Sequence, residues 1–295
     1  MWIFITLFAA GCQSMRTAYQ NTLAREAGFL HATLSRSLFG LPLVSAYLVL
    51  CWQLFGWVSV EKSLVFWLAA TICAIAQVMA TYFMLRAFQS SSFALGTLLS
   101  KTEAVLAALI GLPLLHYTLT FGAWLGIAFG VLGAVVMSVK WKNIRQVHKD
   151  ASLLFGLGSG LCFAITSVTA SIASHALSGS LITSAGVTLC YVLALQSIIL
   201  CSIQMVKSKD VLAPFRYELV LSCKVGMLSA LGSIGWFTGF ALVNPALVKT
   251  LGQIEIVGTL YYSKVRFAEK MTKQQWIGGA MIVISVVFVV TSTLK

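Results

Sequence analysis

Long apolar runs alternate with short polar connections along the whole chain. The runs lie roughly at 2–24, 30–52, 64–85, 92–115, 121–139, 152–175, 180–205, 218–240, 244–263 and 274–294. Most are about 18 to 25 residues long, which at 1.5 Å per helical residue crosses the ~30 Å of bilayer hydrocarbon. The short stretches of two-residue alternation that mark a membrane barrel are absent. The pattern therefore predicts an all-α integral membrane protein with ten transmembrane helices. The first run has no basic residue before it and carries Gln13, Arg16 and Gln20 in its second half, so it is expected to persist as a helix rather than act as a secretory signal.

Composition agrees: 59% of residues are apolar, 9% are charged, and the mean hydropathy is +0.93. The net charge of +12 raises the question of a nucleic-acid partner, and the positions of the 20 Lys and Arg residues answer it. Arg16, Arg36, Lys101, Lys224 and Lys249 fall inside apolar runs. Thirteen others sit in alternate connections, such as "KWKNIRQVHKD" and "SKVRFAEKMTKQQ", whereas Lys62 and Lys295 alone fall on the opposite side. This is the positive-inside bias of a membrane protein, not a nucleic-acid surface, and it places both termini on the non-cytoplasmic side. The seven cysteines lie in or at the ends of apolar runs without a CxxC pair, and the four histidines show no zinc spacing. Neither a metal nor a cofactor is expected.

The basic connection 140–151 divides the chain into 1–139 and 152–295, each with five runs. A shift of 152 residues aligns Trp124 with Trp276, Gly126 with Gly278 and Glu103 with Glu255. Five is odd, so the second copy enters the membrane from the opposite side. Inverted repeats of this kind let two similar halves exchange conformations and expose one central site to alternate sides.

The segments "YFMLRAFQSSSFALGTLLSKTEAVLAALIG" and "WFTGFALVNPALVKTLGQIEIVGTLYYSKVRFAEKMTKQQWIGGAMIVIS" resemble the later helices of the repeat found in the drug/metabolite transporter superfamily, in its ten-helix EamA branch. Glu269 takes the place of the usual Gly-Glu acid, Gln275 precedes "WIGG", and Arg36 sits where the family often has an arginine on its second helix. The proline that follows the helix acid in the family is Ala104 in one copy and Ile256 in the other, and His116-Tyr117 replaces Gly-Glu in the first. Family members are usually drawn with both termini inside, whereas the charge bias here argues the reverse. The resemblance implies a transporter.

Ionisable groups in mid-membrane are costly and mark sites. Five bases against Glu103 and Glu255 favour a positive cavity for an anionic, carboxylate-bearing or amino-acid-like metabolite. Candidate substrate-binding residues are Arg16, Arg36, Lys101, Lys249 and Gln253. Lys101 and Glu103, two residues apart, cannot share a helix face, while Lys249 and Gln253, four apart, can. The Lys101 face and the Lys249/Gln253 face are expected to meet across the pseudo-twofold axis. Glu103 and Glu255 are either coupling groups for protons or structural partners of basic residues. Tyr82, Trp236 and Tyr261 are possible pocket aromatics. Lys224, near the start of its run, reads as a residue that either serves the path or snorkels to the interface.

The function expected is secondary transport of a small organic solute by alternating access, proton-coupled or as an exchanger. The alternatives are export of cationic or amphipathic amines on Glu103 and Glu255, or a channel-like facilitator. No nucleotide-binding motif occurs, and an intramembrane enzyme would need paired carboxylates, a Ser or Cys nucleophile with a base, or metal ligands, whereas Glu103 and Glu255 are the acids expected to be buried and no HExxH occurs. The partners implied are the lipid bilayer and a small-molecule substrate.

Overall fold

The computed structural model describes residues 1–60, 63–90, 102–116, 118–138, 151–207, 218–256 and 272–293. Among them are eleven helical segments: α1 (Trp2–Ala27), α2 (Phe29–Leu38), α3 (Leu41–Phe55), α4 (Leu64–Ser90), α5 (Glu103–Leu115), α6 (Phe121–Ser138), α7 (Ala151–His175), α8 (Leu181–Lys207), α9 (Leu219–Leu242), α10 (Pro245–Gly252) and α11 (Lys273–Thr293). The strand-type pairing among the described residues is one isolated bridge, Ser59 with Ser178, which ties the α3–α4 connection to the α7–α8 connection at one end of the bundle.

Among the described residues, five stretches are both long and apolar enough to cross a membrane: Phe29–Phe55, Leu64–Ala87, Leu154–His175, Leu181–Lys207 and Leu219–Leu242. Glu103–Leu115, Phe121–Val136 and Trp276–Ser292 are shorter apolar helices. Helix α1 has the length, at 26 residues, but buries Arg16 and Gln20 along with Thr6.

Among the described residues, two runs differ from the uninterrupted helices expected. The run at 30–52 breaks at Phe39–Gly40, because Pro42 starts a new helix rather than continuing an old one. Backbone groups at the break stay paired, Phe39 N–H with Ser35 O at 3.2 Å and Val44 N–H with Gly40 O at 3.1 Å, as a membrane interior requires. The run at 244–263 opens on a capped turn, where Asn244 Oδ1 accepts from Ala246 N–H at 2.9 Å and Pro245 occupies the first position. It is helical to Gly252 and then tightens into a turn at Gln253.

Packing between halves is paired. Helix α1 runs along α9 and α4 runs along α7, so the first helix of each half lies on the third helix of the other. Helix α6 packs on α11 and α5 on α10, each helix meeting its counterpart. Small residues make these approaches close. A Cβ at Gly235 would lie 2.8 Å from Ala9 Cβ, and one at Gly133 would lie 2.8 Å from Gly278 O. Ser285 Oγ donates to Gly126 O at 2.6 Å across the α6–α11 seam. The main core joins α1, α3, α4, α8 and α9 through Ala9, Val44, Ala74, Leu193 and Phe237.

Candidate functional site

Helix α1 is apolar enough to pack yet carries a polar stripe, Gln13, Arg16 and Gln20, at helical spacing. The structure divides that stripe. Gln20 is fully buried and its Nε2 donates to Ala32 O at 3.1 Å, tying α1 to α2. Gln13 and Arg16 instead face a central cavity of about 20 Å³, which Arg36 of α2, Gln77 of α4 and Lys249 of α10 also reach. Phe163 and Thr166 of α7 and Ser233, Trp236, Phe237 and Phe240 of α9 complete its wall. A cavity of this size holds about one water.

The cations around it are held differently. Arg36 stands in the last turn of α2, where a cation suits the carbonyl end of a helix. Its Nε donates to Ser229 Oγ at 3.0 Å and its Nη1 to Thr81 Oγ1 at 2.8 Å. Lys249 Nζ donates to Glu103 Oε2 at 3.1 Å, a buried ion pair between α10 and α5. The same Nζ lies over three rings, Trp236 at 4.9 Å, Phe163 at 5.3 Å and Phe240 at 5.5 Å. Arg16 is 4% exposed, and its Nε and Nη2 have no hydrogen-bond partner among the described residues. Nε and Nη2 form one edge of the guanidinium, the edge that takes both oxygens of a carboxylate in parallel.

Of the residues the sequence singles out, Arg16, Arg36, Lys249 and Trp236 thus come together, with Glu103 paired to Lys249. Gln253 is placed elsewhere: its side chain packs against Gly130 of α6 and near Ser285 of α11. It is fully buried, with neither amide atom hydrogen-bonded among the described residues. The last turn of α10 tightens, Gln253 N–H donating to Thr250 O at 3.2 Å, so a four-residue spacing there no longer means one face. Glu255 is half-buried beyond that turn, and its carbonyl accepts from Ser14 Oγ at 3.2 Å.

Tyr82 lines a separate groove of about 590 Å³ between α2, α4 and α8, where its hydroxyl accepts from Arg86 Nε at 3.1 Å. Lys224 is exposed and lies 5.8 Å from the ring of Tyr19. Lys101 and Tyr261 lie outside the described residues. The sequence reading missed Phe163, Phe240, Thr81 and Ser229. Nothing in an apolar or small residue on a greasy helix distinguishes a wall of the cavity from a lipid or packing contact. For Phe240 alone a signal existed, since it stands four residues after Trp236 on α9.

Comparison with known proteins agrees with this architecture. A solved structure, described only as the crystal structure of a protein, superposes with a TM-score of 0.72, covering 100% of this chain and 99% of its own at 15% identity; it is one of 28 solved chains that match, and the likeness is one of fold. No curated protein matches. The model of the EamA-like transporter family matches twice, at residues 1–139 and 151–291. With nearly the whole chain covered, the protein belongs to the EamA-like transporter family of the drug/metabolite type, and is an integral, multi-pass membrane transporter.

Proposed function

We propose that this transporter carries a small organic anion, with a carboxylate as the recognised group, by alternating access through the central cavity. The observation that carries the reading is Arg16, buried at the cavity wall with its Nε–Nη2 edge unpartnered among the described residues. A buried guanidinium edge without an acceptor is a large unmet demand for hydrogen bonds, and a carboxylate meets it with two. Local charge points the same way. Glu103 is neutralised by Lys249, so Arg16 and Arg36 leave the lining positive.

The exchange-related packing of α1 on α9 and α4 on α7 supports a mechanism in which the two halves swap roles. In this reading the ten apolar runs are ten spans in two inverted repeats, and the central cavity widens toward one side as it closes to the other. The distribution of basic connections supports termini on the non-cytoplasmic side. Energy comes from the gradient of the solute, a counter-solute or protons, since the chain carries no nucleotide motif.

The test is counterflow in proteoliposomes holding the purified protein. Vesicles preloaded with single unlabelled carboxylates, phosphorylated metabolites, amino acids or organic amines are offered the labelled compound, with and without an imposed pH gradient. Accumulation of a carboxylate, absent in protein-free vesicles, is expected. Accumulation of amines alone refutes the reading.

A further inference from the structure

The ammonium of Lys249 sits in surroundings that suit a ligand. Around it are one carboxylate oxygen at 3.1 Å and three ring centroids at 4.9, 5.3 and 5.5 Å. Such a combination of a carboxylate and ring faces is how proteins recognise organic ammonium ions. The walls come from three helices other than the one bearing the lysine: Glu103 from α5, Phe163 from α7, Trp236 and Phe240 from α9.

Each wall also has its own support. Trp236 stacks on Phe240 with centroids 6.1 Å apart and planes at 22°. Its ring closes over Gly252, where a Cβ would collide with it. Phe163 packs against the cluster of Leu23, Ala32 and Leu85. Glu103 lies in the first turn of α5, where the helix N-terminus favours a carboxylate. The enclosure therefore does not depend on the lysine that fills it.

We propose that Glu103, Phe163, Trp236 and Phe240 form an ammonium-binding site whose occupant is the chain's own Lys249, and that this lysine excludes small organic cations from the cavity. The inference deepens the anion reading, because it names what keeps the opposite charge out, yet the site rests on its own geometry. Tethering makes the exclusion effective: a side chain held beside its site acts as if present at millimolar or higher concentration, so dilute amines do not displace it.

Lys249→Ala deletes Cγ to Nζ, the atoms of n-propylammonium. What remains is a space of that shape beside a buried glutamate without its counter-ion. The purified wild type, Lys249→Ala and Glu103→Gln/Lys249→Ala are titrated with n-propylammonium chloride, with sodium chloride and n-propanol as controls for salt and for shape without charge. The readout is melting temperature in detergent. The amine is expected to raise that of Lys249→Ala while the wild type is unmoved, and loss of Glu103 is expected to weaken the response at least about tenfold. Equal responses of wild type and Lys249→Ala overturn the proposal, as does an effect that persists undiminished without Glu103 or is matched by n-propanol.

Should Lys249→Ala not survive extraction, it is purified with the amine present throughout. Recovery only with amine supports the site, whereas failure with and without amine, when the double variant folds, overturns it. No transport is measured, so a wrong transport reading would leave the outcome unchanged. Conversely, anion uptake by the wild type would not rescue a Lys249→Ala protein indifferent to amines.

Discussion

Gly226→Ala probes the link between the broken second span and the cavity. Gly226 lies on α9 directly against the α2–α3 break, and a Cβ there would come 2.8 Å from the carbonyl carbon of Phe39 and 3.0 Å from its Cα. These are backbone atoms, so the break itself must move. Three residues before Phe39 is Arg36, whose Nε donates to Ser229 of α9, three residues after Gly226. Overpacking of this kind costs about 1–3 kcal/mol. Loss of a hydrogen bond from a charged donor adds up to ~1.5–3 kcal/mol, while replacing glycine within a helix returns about 1 kcal/mol. The balance is a destabilisation of roughly 1.5–5 kcal/mol, read as a melting temperature lowered by several degrees in detergent. Gly11→Ala is the matched control: it has nothing within 4 Å of its added carbon, so the same substitution is expected to be neutral or stabilising. A Gly226→Ala protein that melts at or above the wild type would refute the argument that the break is seated on α9 and positions Arg36.

Further outcomes follow from the same packing. In the cycle of Glu103→Gln, Lys249→Met and their combination, each single change breaks a buried pair at a cost of about 3–5 kcal/mol, less in Glu103→Gln by the ~2 kcal/mol the rings still give a desolvated lysine. The double variant should recover most of the loss in thermal melts, and strictly additive losses would contradict the pairing. Gly252→Ala drives a methyl into the ring of Trp236 and is expected to cut counterflow severalfold. Gly122→Ala, whose new carbon meets Ser292 Cβ at an ordinary 3.4 Å, should leave it intact. Ser59→Cys and Ser178→Cys, in a background without the native cysteines, should cross-link on mild oxidation and react with impermeant maleimide from outside the cell. Labelling only after permeabilisation would reverse the proposed orientation.

Much of the architecture was legible because a bilayer admits few solutions: apolar runs must become helices that satisfy their own backbone. The candidate site was legible where polarity was locally anomalous. Arg16, Arg36 and Lys249 stood out in greasy surroundings, and all three reach one cavity. What escaped depended on tertiary contacts or on helix ends. The pairing of Lys249 with Glu103 spans 146 residues, and no local rule selects that acid over Glu255. Pro42 and Gly40 did carry a signal of the break, but hydropathy averaged over a window passes across them. A four-residue spacing puts Gln253 on the Lys249 face of a regular α-helix, whereas the tightened last turn of α10 delivers it to Gly130.

The central claim rests on the guanidinium edge of Arg16, and carboxylate counterflow by Arg16→Lys and Arg16→Gln tests it most directly. Lysine keeps the charge but not the paired donors, and glutamine keeps neither. Charged hydrogen bonds worth ~1.5–3 kcal/mol correspond to roughly a 10- to 100-fold loss, so Arg16→Lys is expected to raise the concentration for half-maximal uptake by about that factor. Arg16→Gln is expected to abolish uptake while the protein still melts cooperatively. Wild-type carboxylate counterflow in folded Arg16→Gln would contradict the account.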